Sequence, residues 1–289
     1  MGQDLFENSR QARKIFELAD KIKPDTSHLC FHGTMEQLSR TENAQPCLFC
    51  VEMAAAAALT EQGVFADAAA GFSLGELTAL TYAKSTSFED GFRLTCARGA
   101  LMQKASDEAQ SAMLAVLRLD DETVISLCRE FSRIYPVNFN CDGQIVVSGD
   151  KSELDAFRQL VKEHNGKTLP LKVSGGFHSP FMAEASAGFS AELARVHLQM
   201  PKIPVYSNVT AMPYPEAVNE LLDRQMCSPV LWKQTIANMA AAGIHTIVEL
   251  GPGKVLSGLV SRIVPELAAH YVEDMGSLQK TIAEVKNNA

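Results

Sequence analysis

The chain has 289 residues, a net charge of −8, 46% hydrophobic and 21% charged residues. A chain of this length buries a core without disulfide or metal staples. The composition excludes disorder, and an acidic chain with no basic stripe is not built to bind nucleic acid.

The first residues, Met1-Gly2-Gln3-Asp4, carry neither a basic segment nor an apolar one, so no signal peptide is visible. Residues 8–22 repeat apolar positions at Ala12, Ile15, Phe16, Ala19 and Ile22, which predicts an amphipathic helix. Pro46 reads as the opening of a long helix that runs to residue 62 and stops at Gly63. Its longest apolar run, 53–59, is far too short to span a bilayer, so no membrane association and a cytoplasmic location are expected. Cys47-x-x-Cys50 lies inside this helical run and has no second pair, so the seven cysteines read as buried reduced thiols and no metal site is expected.

The small residues 67–71 suggest a short buried strand, with a second helix starting at residue 74. Ser87 with Asp90 looks like the cap of a further helix reaching residue 105. From residue 112 the texture changes to strand 113–118, helix 121–131, strands 136–139 and 144–147 around the turn Cys141-Asp142-Gly143, helix 152–164 and strand 168–173. This β-α-β-β-α-β order is the split pattern of a ferredoxin-like domain. Strands at 203–209 and 244–250 then alternate with helices at 229–242 and 254–263, and a last helix starts at 277. The expected fold is α/β, with a parallel-sheet, hydrolase-like large subdomain over 1–111 and 175–289 and an inserted ferredoxin-like small subdomain over 112–174.

Gly71-Phe72-Ser73-Leu74-Gly75 is a G-x-S-x-G sequence between a strand and a helix, the context of a nucleophile elbow. The glycines permit a sharp turn that exposes Ser73, and the helix start offers the Leu74 N–H to an oxyanion. A structural Gly-Ser turn is the alternative. His178, in Ser174-Gly175-Gly176-Phe177-His178-Ser179-Pro180, lies on a glycine-rich loop that can reach a cleft; the alternative is a surface histidine. Arg98 is a lone cation among small and apolar residues, either a clamp for a carboxylate or a snorkelling arginine at a domain seam.

Together these residues resemble the malonyl-CoA:acyl carrier protein transacylases and the related acyltransferase domains of polyketide synthases. The matching pieces are Gly71 to Glu76, Arg98-Gly99 with Met102-Gln103, and Asn138-Phe139-Asn140 with Gly143-Gln144. Further on come Gly176 to Pro180, Tyr206 to Val209, Gln225 with Pro229 and Trp232, and Glu249 to Leu256. The resemblance implies transfer of malonyl from CoA to the phosphopantetheine thiol of an acyl carrier protein, with no cofactor. Ser73 would be the nucleophile, His178 its base, and Gln225 the residue that orients the histidine through a backbone or amide oxygen. Arg98 would hold the malonyl carboxylate, Leu74 would give one oxyanion N–H, and Phe177 would exclude an α-methyl group.

Two departures from the family pattern stand out. Phe72 replaces the usual histidine before the serine. The residues from Met1 to Glu7 align just after the family's first strand and its Gly-Gln-Gly-Ser-Gln loop, so that strand and the second oxyanion donor are expected to be missing, with Gln3 the candidate stand-in. Two rival readings follow: an acyl-thioester hydrolase, which a carboxylate clamp disfavours, and a weakly active carrier-protein-binding subunit, which the missing loop favours.

Overall fold

The computed structural model describes residues 1–173 and 175–287, so the expected boundary residues 174 and 289 lie outside it. A helical layer opens the chain: α1 (Gln3–Asn8), α2 (Arg10–Ile22), α3 (Thr26–His32), α4 (Met35–Ser39) and α5 (Thr41–Glu61). Ser9 starts α2 by accepting from the Ala12 N–H, and the stripe Ala12, Phe16 and Ala19 is buried in one core with α5. That helix begins at Thr41, before Pro46 rather than at it. Proline has no N–H for the Glu42 carbonyl. Lys23 Nζ donates to that oxygen instead, at 2.9 Å, so the helix runs through the proline.

Next come β1 (Ala69–Ala70), α6 (Leu74–Tyr82) and α7 (Phe88–Glu108). The Asp90 N–H donates to Ser87 Oγ at 3.0 Å, which is the cap expected for α7. The middle of the chain carries β2 (Ser111–Leu117), α8 (Asp121–Cys128), β3 (Ile134–Cys141), β4 (Gln144–Asp150), α9 (Lys151–Glu163) and β5 (Lys167–Pro170). The four strands form an antiparallel sheet in the order β3-β4-β2-β5. Strand side chains alternate between faces. Leu114, Val116, Ile145 and Val147 therefore pack with Val124, Phe157 and Val161 of the two helices, while Met113, Ala115, Val137 and Val146 form a second cluster that meets Phe177.

The chain continues with α10 (Ala183–Leu193), β6 (Val205–Tyr206), α11 (Val218–Arg224), α12 (Trp232–Ala241), β7 (Thr246–Leu250), α13 (Val255–Ile263), β8 (Ala268–Val272) and α14 (Met275–Asn287). The Glu249 carboxylate accepts from the Leu256 and Ser257 N–H groups and so anchors the start of α13. The strands expected at 67–71 and 203–209 shorten to two residues each, and β8 lies where no strand was expected. No described helix is long and apolar enough to cross a membrane.

The parallel strands do not form one sheet. β1 pairs with β6 and β7 with β8, as two separate parallel pairs. Ala68 to Ala70 and Thr246 to Leu250 line one cavity of about 490 Å³, together with Glu52, Gly75 and Trp232. The residues at the N-terminus lie elsewhere: Gly2 packs near Phe16 and Val51, and α1 leads into the helical layer.

Candidate active site

The turn from β1 to α6 puts Ser73 at φ 53°, ψ −102°, a backbone conformation that side chains disfavour. Such strain persists only where the surroundings fix it. A Cβ on Gly71 would stand 1.8 Å from the Gly75 carbonyl carbon, so only glycine lets the helix return this close. A Cβ on Gly75 would meet open space, because that residue borders the cavity. Asn208, buried just after β6, ties the turn together. The Ser73 N–H donates to Asn208 Oδ1 at 2.7 Å, and Asn208 Nδ2 donates to the Gly71 carbonyl at 2.6 Å. Phe72 fills its site by packing edge-on against Trp232, with ring centroids 5.6 Å apart. The Leu74 N–H, at the first position of α6, donates to no group among the described residues, and a helix start holds such N–H groups ready for an anion.

His178 reaches Ser73 from the loop after β5. The loop is seated on the antiparallel sheet: the Gly176 N–H donates to Ser111 Oγ at 2.9 Å, and a Cβ on Gly176 would lie 2.4 Å from Ser148 Oγ. Ser179 Oγ donates back to the Gly176 carbonyl at 2.6 Å and closes the turn. His178 Nε2 lies 2.7 Å from Ser73 Oγ, and Nδ1 lies 3.0 Å from the Gln225 carbonyl oxygen. A carbonyl oxygen only accepts, so Nδ1 carries the proton and the Nε2 lone pair faces the serine hydroxyl. Burial, reinforced by the Arg98 charge, lowers the His178 pKa to about 4. The ring is therefore neutral near pH 7 and free to take a proton.

Arg98 is buried on α7, which lies close to α5. A Cβ on Gly99 would stand 2.9 Å from the Thr41 carbonyl oxygen, and the Thr41 N–H donates to Gln103 Oε1 at 2.7 Å. From this seam Arg98 Nη1 donates to Gln45 Oε1 at 2.9 Å, while Nη2 donates to Gln225 Oε1 at 2.8 Å and Ser73 Oγ at 3.1 Å. Among the described residues no carboxylate forms a salt bridge with it. Desolvation lowers its pKa to about 10, against the opposing charge of Glu76. A buried guanidinium without an ion pair, beside a half-buried hydroxyl, favours a ligand that carries a carboxylate.

The fold thus brings Ser73, His178, Gln225 and Arg98 into direct contact, with Leu74 beside the serine. Phe177 precedes the histidine and is half-buried against both the large core and the inner face of the antiparallel sheet. Gln3 stands on α1, where its Nε2 donates to Glu7 Oε1 at 2.8 Å. Three contributors carried no assigned role in the sequence: Gln45, Glu76 and Asn208. Glu76 and Asn208 sit inside matched motifs, so their position was a signal. Gln45 lies one turn into α5 and offered none.

The family described as "Acyl transferase domain" matches residues 1–287. The chain is 35% identical over 300 residues to the malonyl CoA-acyl carrier protein transacylase of Bacillus subtilis (strain 168), covering 100% of this chain and 95% of that protein. It is 36% identical over 253 residues to the same-named protein of Escherichia coli (strain K12), covering 85% and 82%. Among solved structures, a malonyl CoA-acyl carrier protein transacylase from Clostridium perfringens superposes with a TM-score of 0.96 at 33% identity, covering 99% of this chain and 93% of that one. A structure described as a type II PKS acyl-carrier protein in complex with its malonyl-transacylase superposes with a TM-score of 0.94 at 32% identity, covering 98% and 94%.

Proposed function

From the membership of this chain in the malonyl CoA-acyl carrier protein transacylase family, we infer that Ser73, His178, Gln225, Leu74 and Arg98 are the working parts of its transfer reaction. The chain transfers malonyl from CoA to an acyl carrier protein, in fatty acid or polyketide synthesis. Malonyl-CoA and the carrier's phosphopantetheine thiol are its two substrates, and a cytoplasmic setting goes with them. Residues 1–111 and 175–289 make the large, hydrolase-like subdomain in this reading, and 112–174 the ferredoxin-like one. The seating of the His178 loop on β2 and β4 supports a catalytic cleft between the two.

The mechanism follows from who can donate to whom. Ser73 Oγ attacks the thioester carbonyl carbon as His178 Nε2 takes the hydroxyl proton. The Leu74 N–H and the start of α6 stabilise the tetrahedral oxyanion. The carbon–sulfur bond breaks, the CoA sulfur takes the proton from His178, and a malonyl-Ser73 ester remains. The carrier thiol then attacks this ester, gives its proton to His178, and the proton returns to Ser73 Oγ as the new thioester leaves. Arg98 holds the free malonyl carboxylate, and Phe177 fills the space that an α-methyl group needs. Because only the neutral imidazole can take a proton, its depressed pKa keeps the base ready at the start of each half-reaction.

The observation that carries this reading is the placement of Ser73 Oγ 2.7 Å from a base and 3.1 Å from a buried guanidinium. Brief exposure to malonyl-CoA followed by intact-mass measurement should show one malonyl adduct, absent from Ser73→Ala. An adduct that survives the substitution, or none on the native chain, would overturn it.

A second reading is a slow family member acting mainly through carrier binding, since Gln3, the candidate stand-in for a second oxyanion donor, turns its side-chain amide to Glu7. A single preformed oxyanion donor in place of two costs roughly 100- to 1,000-fold in turnover. Steady-state transfer to carrier protein separates the two readings, since turnover in the ordinary enzymatic range of about 1–1,000 per second removes the second.

A further inference from the structure

Glu76 is fully buried, belongs to no salt bridge among the described residues, and touches none of the reacting atoms. Its Oε1 accepts from the Asn208 N–H at 3.2 Å and from the Tyr214 hydroxyl, and its Oε2 accepts from Gln225 Nε2 at 2.6 Å. Burial raises its pKa while these donors oppose the rise. Gln225 has one amide nitrogen and one amide oxygen, and both hydrogens of the nitrogen and one acceptor position of the oxygen are engaged. Nε2 donates to Glu76 Oε2 and to the Ser73 carbonyl at 2.7 Å, and Oε1 faces Arg98 at 2.8 Å. The amide has two orientations, related by a half-turn. Glu76 Oε2 accepts from the Gln225 amide, which goes with the orientation that points oxygen at the guanidinium. The reverse orientation would set an NH₂ group against Arg98 and an oxygen against both Glu76 and the Ser73 carbonyl.

We propose that Glu76 is a positioning residue for malonyl recognition: by accepting from the Gln225 amide it fixes that side chain, which in turn aims Arg98 at the acyl carboxylate. The same carboxylate is the charge opposing the Arg98 guanidinium across Gln225. Glu76 also holds the backbone of Asn208, which clamps the serine turn. One buried acid thus ties the nucleophile's turn to the specificity cation. The histidine is tied through the Gln225 main chain, which does not depend on the amide orientation. Loss of the Glu76 carboxylate should therefore degrade the choice of acyl group before it degrades proton transfer. This inference rests on the reading of Arg98 as the malonyl clamp.

The test is Glu76→Gln, which keeps volume but replaces the accepting carboxylate with an amide that can also donate. Malonyl and acetyl transfer from their CoA thioesters are measured side by side, with KM and kcat separated. The expected result is a rise in KM for malonyl-CoA and a drop of about tenfold or more in the malonyl-to-acetyl ratio of kcat/KM, with acetyl transfer changed by less than about threefold. Tyr214→Phe removes a donor to the same carboxylate but leaves its contact with Gln225, and should keep the native ratio. If Glu76→Gln does not fold, Glu76→Asp withdraws the acceptor by one methylene and should lower the ratio in the same direction. Equal losses for both acyl groups, or an unchanged ratio, would overturn the proposal. A native chain without malonyl preference would instead overturn the role of Arg98 on which it depends.

Discussion

Gln225 holds His178 with its main chain and not with its amide: Nδ1 of the ring lies 3.0 Å from the Gln225 carbonyl oxygen, while the side-chain oxygen is engaged by Arg98. One residue therefore holds the histidine and the arginine through separate groups. Gln225→Ala keeps the carbonyl and removes the amide. The expected outcome is retained acylation of Ser73 by acetyl-CoA, within about fivefold, alongside a loss of about tenfold or more with malonyl-CoA. Single-turnover acylation followed by mass spectrometry measures both, and equal collapse would show that the amide also supports the histidine.

Arg98→Ala should separate the acyl groups further. A guanidinium paired with a carboxylate in a partly dry cleft contributes on the order of 2–5 kcal/mol. Malonyl transfer should fall by at least about 30-fold relative to acetyl transfer. Equal losses for both would make Arg98 a structural residue at the α5–α7 seam.

Phe177→Ser should widen acyl selection. One methyl pressed against a fixed ring typically costs about 1–3 kcal/mol. The methylmalonyl-to-malonyl ratio should rise by about fivefold or more on removal of the ring. Competition between the two CoA thioesters reads this directly, and an unchanged ratio removes Phe177 from the specificity account.

The acid limb of Ser73 acylation should lie near pH 4 rather than 6.5, because burial and Arg98 depress the His178 pKa to about 4. The base is active when neutral, so activity is lost as pH falls through the folded value. The same shift affects stability with a defined sign. The unfolded chain takes up a proton below pH 6.5 that the folded ring refuses, so stability conferred by the neutral buried ring is present above 6.5 and declines from there toward 4. Pre-steady-state acylation against pH, with folding monitored in parallel, checks both, and a kinetic limb at 6.5 would contradict the buried neutral base.

Much of the site was legible because its motifs are local. The strand-to-helix context of Gly71 to Gly75 announced the turn, and the reason is steric: a Cβ on Gly71 collides with the backbone of Gly75. The amphipathic stripe of α2 and the cap at Ser87 were legible for the same reason, since both are written within a few residues. Long-range support was not. Lys23 covering the carbonyl that Pro46 leaves unpaired, Gln45 meeting Arg98, and Asn208 clamping the Ser73 turn each join residues distant in sequence. The strands β1 and β6 carry two residues each, too few for an alternation pattern to mark their ends.

The division between the two parallel strand pairs bears on how the molecule comes apart. Strands in one sheet open together because breaking a ladder exposes every rung, whereas elements joined only by side-chain packing can open separately. Here no backbone ladder joins β1–β6 to β7–β8 among the described residues. The C-terminal pair with α13 should therefore behave as its own cooperative unit, exchanging its amide protons faster than β2 and β4 and through a smaller opening than the one that unfolds the whole chain. The serine turn and its clamps, all on the other side of that division, would remain folded while it opens.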